Sequence, residues 1–192
     1  MGMRAQTLVA GLVASLIIAA LSIAASAGQL QRPPDPPPRL DVWKGTHEMW
    51  LRYGNRVMRK FVVSLGSQPM APKLRRGDGR TPVGEYYVVE KRPRSRFRRF
   101  LGLNYPNVDD AERGFASRII NAEQWADILF ANLRKDVPPW VTALGGRVGI
   151  HGQGGRRPIG PDWTEGCIAV SDDDIEYLYH VIPIGTPVTI HD

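Results

Sequence analysis

The chain has almost no sulfur chemistry to offer: among 192 residues Cys167 is the sole cysteine. An internal disulfide is therefore excluded, and the missing second thiol rules out any Cys-x-x-Cys pair, which argues against a thiol oxidoreductase. Histidine is scarce as well. Of the four, His47, His180 and His191 have no spacing that suggests a zinc site with Cys167, so no metal and no cofactor are expected. No internal repeat is present. Acidic residues are the minority, 19 against 25 Lys and Arg, for a formal net charge of +6. Hydrophobic residues make up 43%, enough to build a core, so disorder is not the default.

The N-terminal third is where the apolar residues run together. Met1 to Gln6 carries Arg4 and no acid, Leu8 to Ile23 is nearly all apolar, and Ala25-Ser26-Ala27 fits the small-x-small rule for signal peptidase. Residues 1–27 read as a secretory signal cut before Gly28. The alternative is an uncleaved membrane anchor, since Thr7 to Ala27 is long enough to span a bilayer. Residues 28–39 form a linker, proline-dense over Gln31–Arg39 (QRPPDPPPR), extended and semi-rigid because proline fixes φ and lacks an amide donor. Residues 40–192 form the folded domain. An exported protein of this kind places its lone cysteine in one of three roles: buried bystander, half of an intermolecular bridge, or reactive thiol.

Much of the positive charge falls in residues 91–99 (KRPRSRFRR). Such a stretch attracts anions. In an exported protein the fitting partner is an anionic wall polymer or membrane surface rather than nucleic acid; the plainer reading is a solvated loop.

Short strands separated by turns dominate from Leu40 onward. Val57–Leu65, Gly84–Glu90, Arg147–His151 and Pro187–His191 are strand candidates, and Arg76–Pro82 is a turn cluster. Asn121 can cap a helix to about Arg134, with Trp125, Ile128, Leu129 and Leu133 on one face. Ser171 can cap another, with Asp174 as its capping-box partner. The expected fold class is mostly β with attached helices.

The chemistry concentrates in two short strings, Ile150-His151-Gly152 and Trp163-Thr164-Glu165-Gly166-Cys167-Ile168. A thiol becomes a strong nucleophile when deprotonated, and histidine is the usual agent. A glycine just before the cysteine permits a tight turn that can aim two successive amides at one point, as an oxyanion hole requires.

These strings resemble the signature of the L,D-transpeptidase (YkuD-type) catalytic domain, in which a His-Gly precedes a Ser/Thr-x-Gly-Cys motif. Gly77-Asp78-Gly79-Arg80-Thr81-Pro82-Val83-Gly84-Glu85-Tyr86-Tyr87 resembles the family's "GDgrTPeGxY" stretch, and Asn104–Asn107 and Leu144–Gly146 are similar to segments of its Trp-Thr-x-Gly-Cys-Ile-Ala branch. The likeness covers about Asp41 to Asp192. It implies a β-sandwich-like domain acting on peptidoglycan stem peptides without a cofactor. Cys167 would be the nucleophile and His151 its partner. The amides of Gly166 and Cys167 would hold the oxyanion, the Gly152 carbonyl would orient the imidazole, Thr164 would shape the turn, and Trp163 would line the groove or the core.

Two positions depart from the family pattern: Glu165 stands where many members have His, and Ala169 where many have Arg. Arg156 and Arg157, in the loop between His151 and Cys167, are candidates to hold a substrate carboxylate in place of that Arg. Two rival readings remain: a hydrolase on the same site, acting as carboxypeptidase or amidase on stem peptides, and a catalytically silent wall-binding module.

Overall fold

The computed structural model describes residues 36–155 and 157–192. The signal or anchor segment, most of the proline-rich linker and Arg156 lie outside these residues. Eight strands form one sheet: β1 (Pro38–Trp43), β2 (Glu48–Tyr53), β3 (Arg56–Val62), β4 (Gly84–Ser95), β5 (Arg98–Leu103), β6 (Gly149–His151), β7 (Ile168–Ala169) and β8 (Pro187–His191). Their order is β3-β2-β1-β8-β4-β5-β6-β7, with β1–β8 and β6–β7 parallel and the remaining neighbours antiparallel. Just past β3, Ser64 bridges Ala169 and Gly66 bridges Thr164. The sheet therefore curls until its first and last strands meet, and the mostly-β expectation holds.

Alternation builds the core. Leu40 and Val42, Met49 and Leu51, Tyr86 and Val88, Leu101 and Leu103, Val188 and Ile190 all point to one side and are buried. Each such aliphatic side chain contributes about 1.5–3 kcal/mol on burial. Helix α3 (Asp172–Val181) closes the open side with Ile175 and Leu178. Ser171 caps it as expected, but without the reciprocal box: its hydroxyl accepts from the Asp174 amide at 3.1 Å and itself donates to the Asp174 carboxylate at 2.7 Å.

Helix α2 (Ala122–Leu133) starts at its Asn121 cap, completed by Gln124 in a reciprocal box. Its buried face is Ile128 and Ala131, with Trp125 packed alongside; Leu133 is exposed, because it falls outside the 125/128/131 stripe. A helix not anticipated from sequence, α1 (Val108–Ala116), packs Ala111 into the same small cluster with Ile120, Ile128 and Leu144. Its apolar residues are too few to show a period, but its Asn107–Asp110 capping box is legible afterwards.

Two boundaries also move. Pro38 pairs with Tyr53, so β1 takes in the last linker residues. The basic stretch 91–99 is not a free loop but a β-hairpin, since β4 runs on to Ser95 and turns into β5 at Arg98. Most of its charge is answered inside the fold. Lys91 donates to the Ile182 carbonyl, Arg92 pairs with Glu90, and Arg98 and Arg99 share Glu176. Arg94 and Arg96 have no carboxylate partner among the described residues.

Candidate active site

Strands β6 and β7 set the site through their register. Ile150 pairs with Ile168, and both face the core. Their neighbours His151 and Cys167 must then point to the opposite face, since side chains alternate along a strand. Gly149, beside Cys167, has no room for a side chain: a Cβ there would lie 2.4 Å from the Leu101 carbonyl oxygen.

His151 is 3% exposed. Its Nδ1 donates to the Gly152 carbonyl at 2.6 Å, which leaves Nε2 as the acceptor of the ring. Burial lowers its pKa below the usual imidazole value, and the bond to Gly152 offsets part of that. Phe97, at the hairpin tip, stacks on the ring with centroids 4.5 Å apart and planes 19° apart. Trp163 lies tilted at 5.8 Å on another side. Gly152 is pinned between elements: its amide donates to the Phe97 carbonyl at 3.0 Å, and a Cβ would meet Asp172 Oδ1 at 2.4 Å.

The loop before Cys167 is held by polar contacts. Asp162 accepts from the Leu65 amide at 2.7 Å and contacts His47 Nε2 at 2.9 Å. The Gly160 amide donates to Ser64 Oγ at 2.9 Å. Thr164, 5% exposed, donates through its hydroxyl to the Cys167 carbonyl at 2.7 Å and accepts from the Gly166 amide at 3.1 Å. Gly166 sits at φ 134°, where a Cβ would come within 2.5 Å of the Arg80 carbonyl oxygen, so only glycine fits. With the Gly166 amide engaged by Thr164, the free donor of the turn is the Cys167 amide, which no described residue accepts from.

Cys167 is half-buried, and its thiol points to the Arg147 carbonyl at 3.4 Å. Burial pushes the thiol up to about 11, with the Gly149 backbone and Lys73 pulling it down and Glu165 pushing it up. Both shifts favour the neutral forms, thiol and imidazole.

Two cavities meet at this thiol. The larger, about 420 Å³, is walled by Lys73, Arg76, Trp140, Arg147 and the 145–148 backbone. The smaller, about 220 Å³, contains His151, Phe97, Trp163, Arg96 and Arg157. Cys167 and Glu165 line both. The structure therefore brings together Cys167, His151, Gly152, Thr164, Gly166, Trp163 and Arg157, whose guanidinium lies 4.9 Å over the Trp163 ring. Arg156 is outside the described residues. Lys73, Phe97 and Asp162 were not picked out from sequence. Asp162 lies two residues before Thr164, close enough to the motif to have been suspected; Phe97 and Lys73 carry no local signal.

A curled sheet with a His-Gly strand end beside a Thr-x-Gly-Cys turn is an arrangement with relatives. Residues 37–190 match the family described as YkuD, L,D-transpeptidase catalytic domain, and the chain belongs to that family. It is 28% identical over 156 residues to YqjB of Bacillus subtilis (strain 168), described as a candidate L,D-transpeptidase; the match covers 81% of this chain and 72% of that one. The fold is similar to that of Bd1075 from Bdellovibrio bacteriovorus (TM-score 0.55, 17% identity, 84% of this chain and 50% of that one). It is also similar to that of the helical cell shape determining protein Pgp2 (K307A mutant) from Campylobacter jejuni (TM-score 0.55, 20% identity, 82% of this chain and 47% of that one). The chain spans about half the length of these two solved structures.

Proposed function

We propose that the protein is a cysteine-dependent acyltransferase of the cell envelope that acts on peptidoglycan stem peptides. The observation that carries this reading is the placement of Cys167 and His151 on one cavity wall, in a chain of the L,D-transpeptidase family. His151 Nε2 takes the thiol proton, and the thiolate attacks the carbonyl of the third stem residue. The oxyanion that forms accepts from the Cys167 amide. The imidazolium returns its proton to the leaving amine, terminal D-alanine departs, and a thioester to Cys167 remains. An amine then enters, gives its proton to His151 and attacks the thioester; the amide forms and the thiol is restored. Water in that place gives a carboxylate instead. The two cavities flanking Cys167 suit one donor and one acceptor chain. Export through residues 1–27 brings the protein to this substrate, and the cell-shape role in the name of Pgp2 agrees with a wall-modifying activity.

The test is incubation of the purified protein with disaccharide-tetrapeptide muropeptides, read by liquid chromatography and mass spectrometry, with Cys167→Ala as control. Crosslinked dimers and released D-alanine, both absent from the control, establish transfer. Tripeptide alone establishes hydrolysis on the same site. Identical chromatograms for the two proteins sink the acyl-transfer reading.

A further inference from the structure

Lys73 is a buried cation that the catalytic steps above do not use. It is 5% exposed, yet it lines the same cavity as Cys167. Its ammonium donates to Asp78 Oδ1 at 2.8 Å and to the Arg75 carbonyl at 3.2 Å. An ammonium has three donors, so one remains. Nζ stands beside Gly166: a Cβ built on that glycine would lie 3.6 Å from it.

Desolvating a lysine is costly, and an ion pair with Asp78 recovers only part of the cost. Asp78 does not need the lysine for its own hydrogen bonds, because it accepts from the amides of Leu74, Arg75 and Arg80 as well. Burial raises the Asp78 pKa, but Lys73 and these amides outweigh it and hold the carboxyl below its usual value. The turn 74–80 thus fixes a charged Lys73 in the cavity wall. Its other charged neighbours there are Arg76, Arg147 and Glu165, with His151 on the far side of the thiol.

We propose that Lys73 is a positioning residue for the nucleophile: held by Asp78, it supplies the fixed positive charge that stabilises the Cys167 thiolate once His151 has taken its proton. This rests on the reading of Cys167 as the nucleophile. It explains why a thiol pushed up by burial remains usable: Lys73 opposes burial and Glu165.

The experiment is the pH dependence of Cys167 alkylation by iodoacetamide. It needs no substrate, so its failure is distinct from failure of the turnover assay, and the chain's single thiol makes the mass-spectrometric readout unambiguous. Lys73→Met leaves Asp78 buried without its cation, so Lys73→Met/Asp78→Asn is made alongside it. In both, the profile is expected to move about one unit to higher pH, which makes alkylation about tenfold slower at any pH below the midpoint. Lys73→Arg keeps the charge and should restore most of the rate. A folded double variant with the wild-type profile overturns the proposal. So does loss of folding in both variants, which would make the pair structural.

Discussion

The two halves of the site are built differently. The histidine half is made of main chain. His151 ends a strand whose register is set by Ile150 and Ile168, its ring is fixed by the carbonyl of the next residue, and Gly152 is wedged against the hairpin and α3. The cysteine half is made of side chains gripping main chain: Asp162 on Leu65, Ser64 on Gly160, Thr164 on both Gly166 and Cys167. A strand is placed by many cooperating bonds, while a loop is placed by a few replaceable ones. Cys167 is therefore the more adjustable partner, and His151 is the fixed reference.

The largest effects come from removing either half outright. His151→Gln preserves size and polarity but takes the proton acceptor away, and a general base is worth about 10²–10⁴-fold. Turnover of muropeptides should drop by that factor while the melting temperature changes little; retention of a tenth or more of the wild-type rate would mean that another group takes the proton. Burial also predicts a pH signature. Because His151 is shifted below the ordinary imidazole value of about 6.5, it stays neutral, and competent as a base, to lower pH. The acid limb of kcat/KM should lie below pH 6.5. A limb at or above that value would place the ring in a wetter site than the structure gives it.

The halves part company at the next level. Thr164→Val keeps the shape of the side chain but leaves the Gly166 amide and the Cys167 carbonyl without their partner. Each buried group left unsatisfied costs about 1–3 kcal/mol. Beyond that stability cost kcat should also fall, because Cys167 is released while the strand carrying His151 is untouched. Gly152→Ala acts on the other half. Its methyl group would collide with Asp172, Ile175 and the Phe97 carbonyl, and overpacking of this kind costs about 1–3 kcal/mol. Here the loss should appear in thermal stability, since the wedge joins α3 to the hairpin. If both variants lose kcat alone, with unchanged melting, the distinction between a main-chain half and a side-chain half is wrong.

The same division decides what could be read from the sequence. Gly152, Thr164, Gly166 and Cys167 lie in two strings a few residues long, and their local geometry depends on neighbours within those strings. They were legible for that reason, as were the capped helices at Asn121 and Ser171. Phe97 reaches His151 from the turn between β4 and β5, whose pairing shifts register between Arg92 and Ser95, and no local pattern announces this. The basic run that hides it draws attention to charge, while the residue that stacks on His151 is its one aromatic. Lys73 was likewise hidden, since its approach to Gly166 depends on how the 74–80 turn docks against the cysteine loop. The expectation of an oxyanion hole made by two amides did not include the competing acceptor, Thr164 Oγ1, two residues before Gly166.

Phe97 offers the finest probe of the comparison, because its ring stacks directly on His151 in the main-chain half. An offset stack of this type is worth about 0.5–1.5 kcal/mol beyond its area. Phe97→Leu keeps apolar bulk over His151 and removes the stack. The Phe97 carbonyl, which holds the Gly152 amide, is unaffected because it belongs to the backbone. If the ring is fixed by Gly152 and the strand, the variant should lose only a few-fold in kcat/KM, and its acid limb should shift little. If the stack is what excludes water from the imidazole, the ring regains solvent and its pKa rises toward the ordinary value, so the acid limb moves to higher pH by a measurable fraction of a unit. The pH profile of Phe97→Leu therefore separates a base held by its backbone from a base held by its lid, which the rate at a single pH would not do.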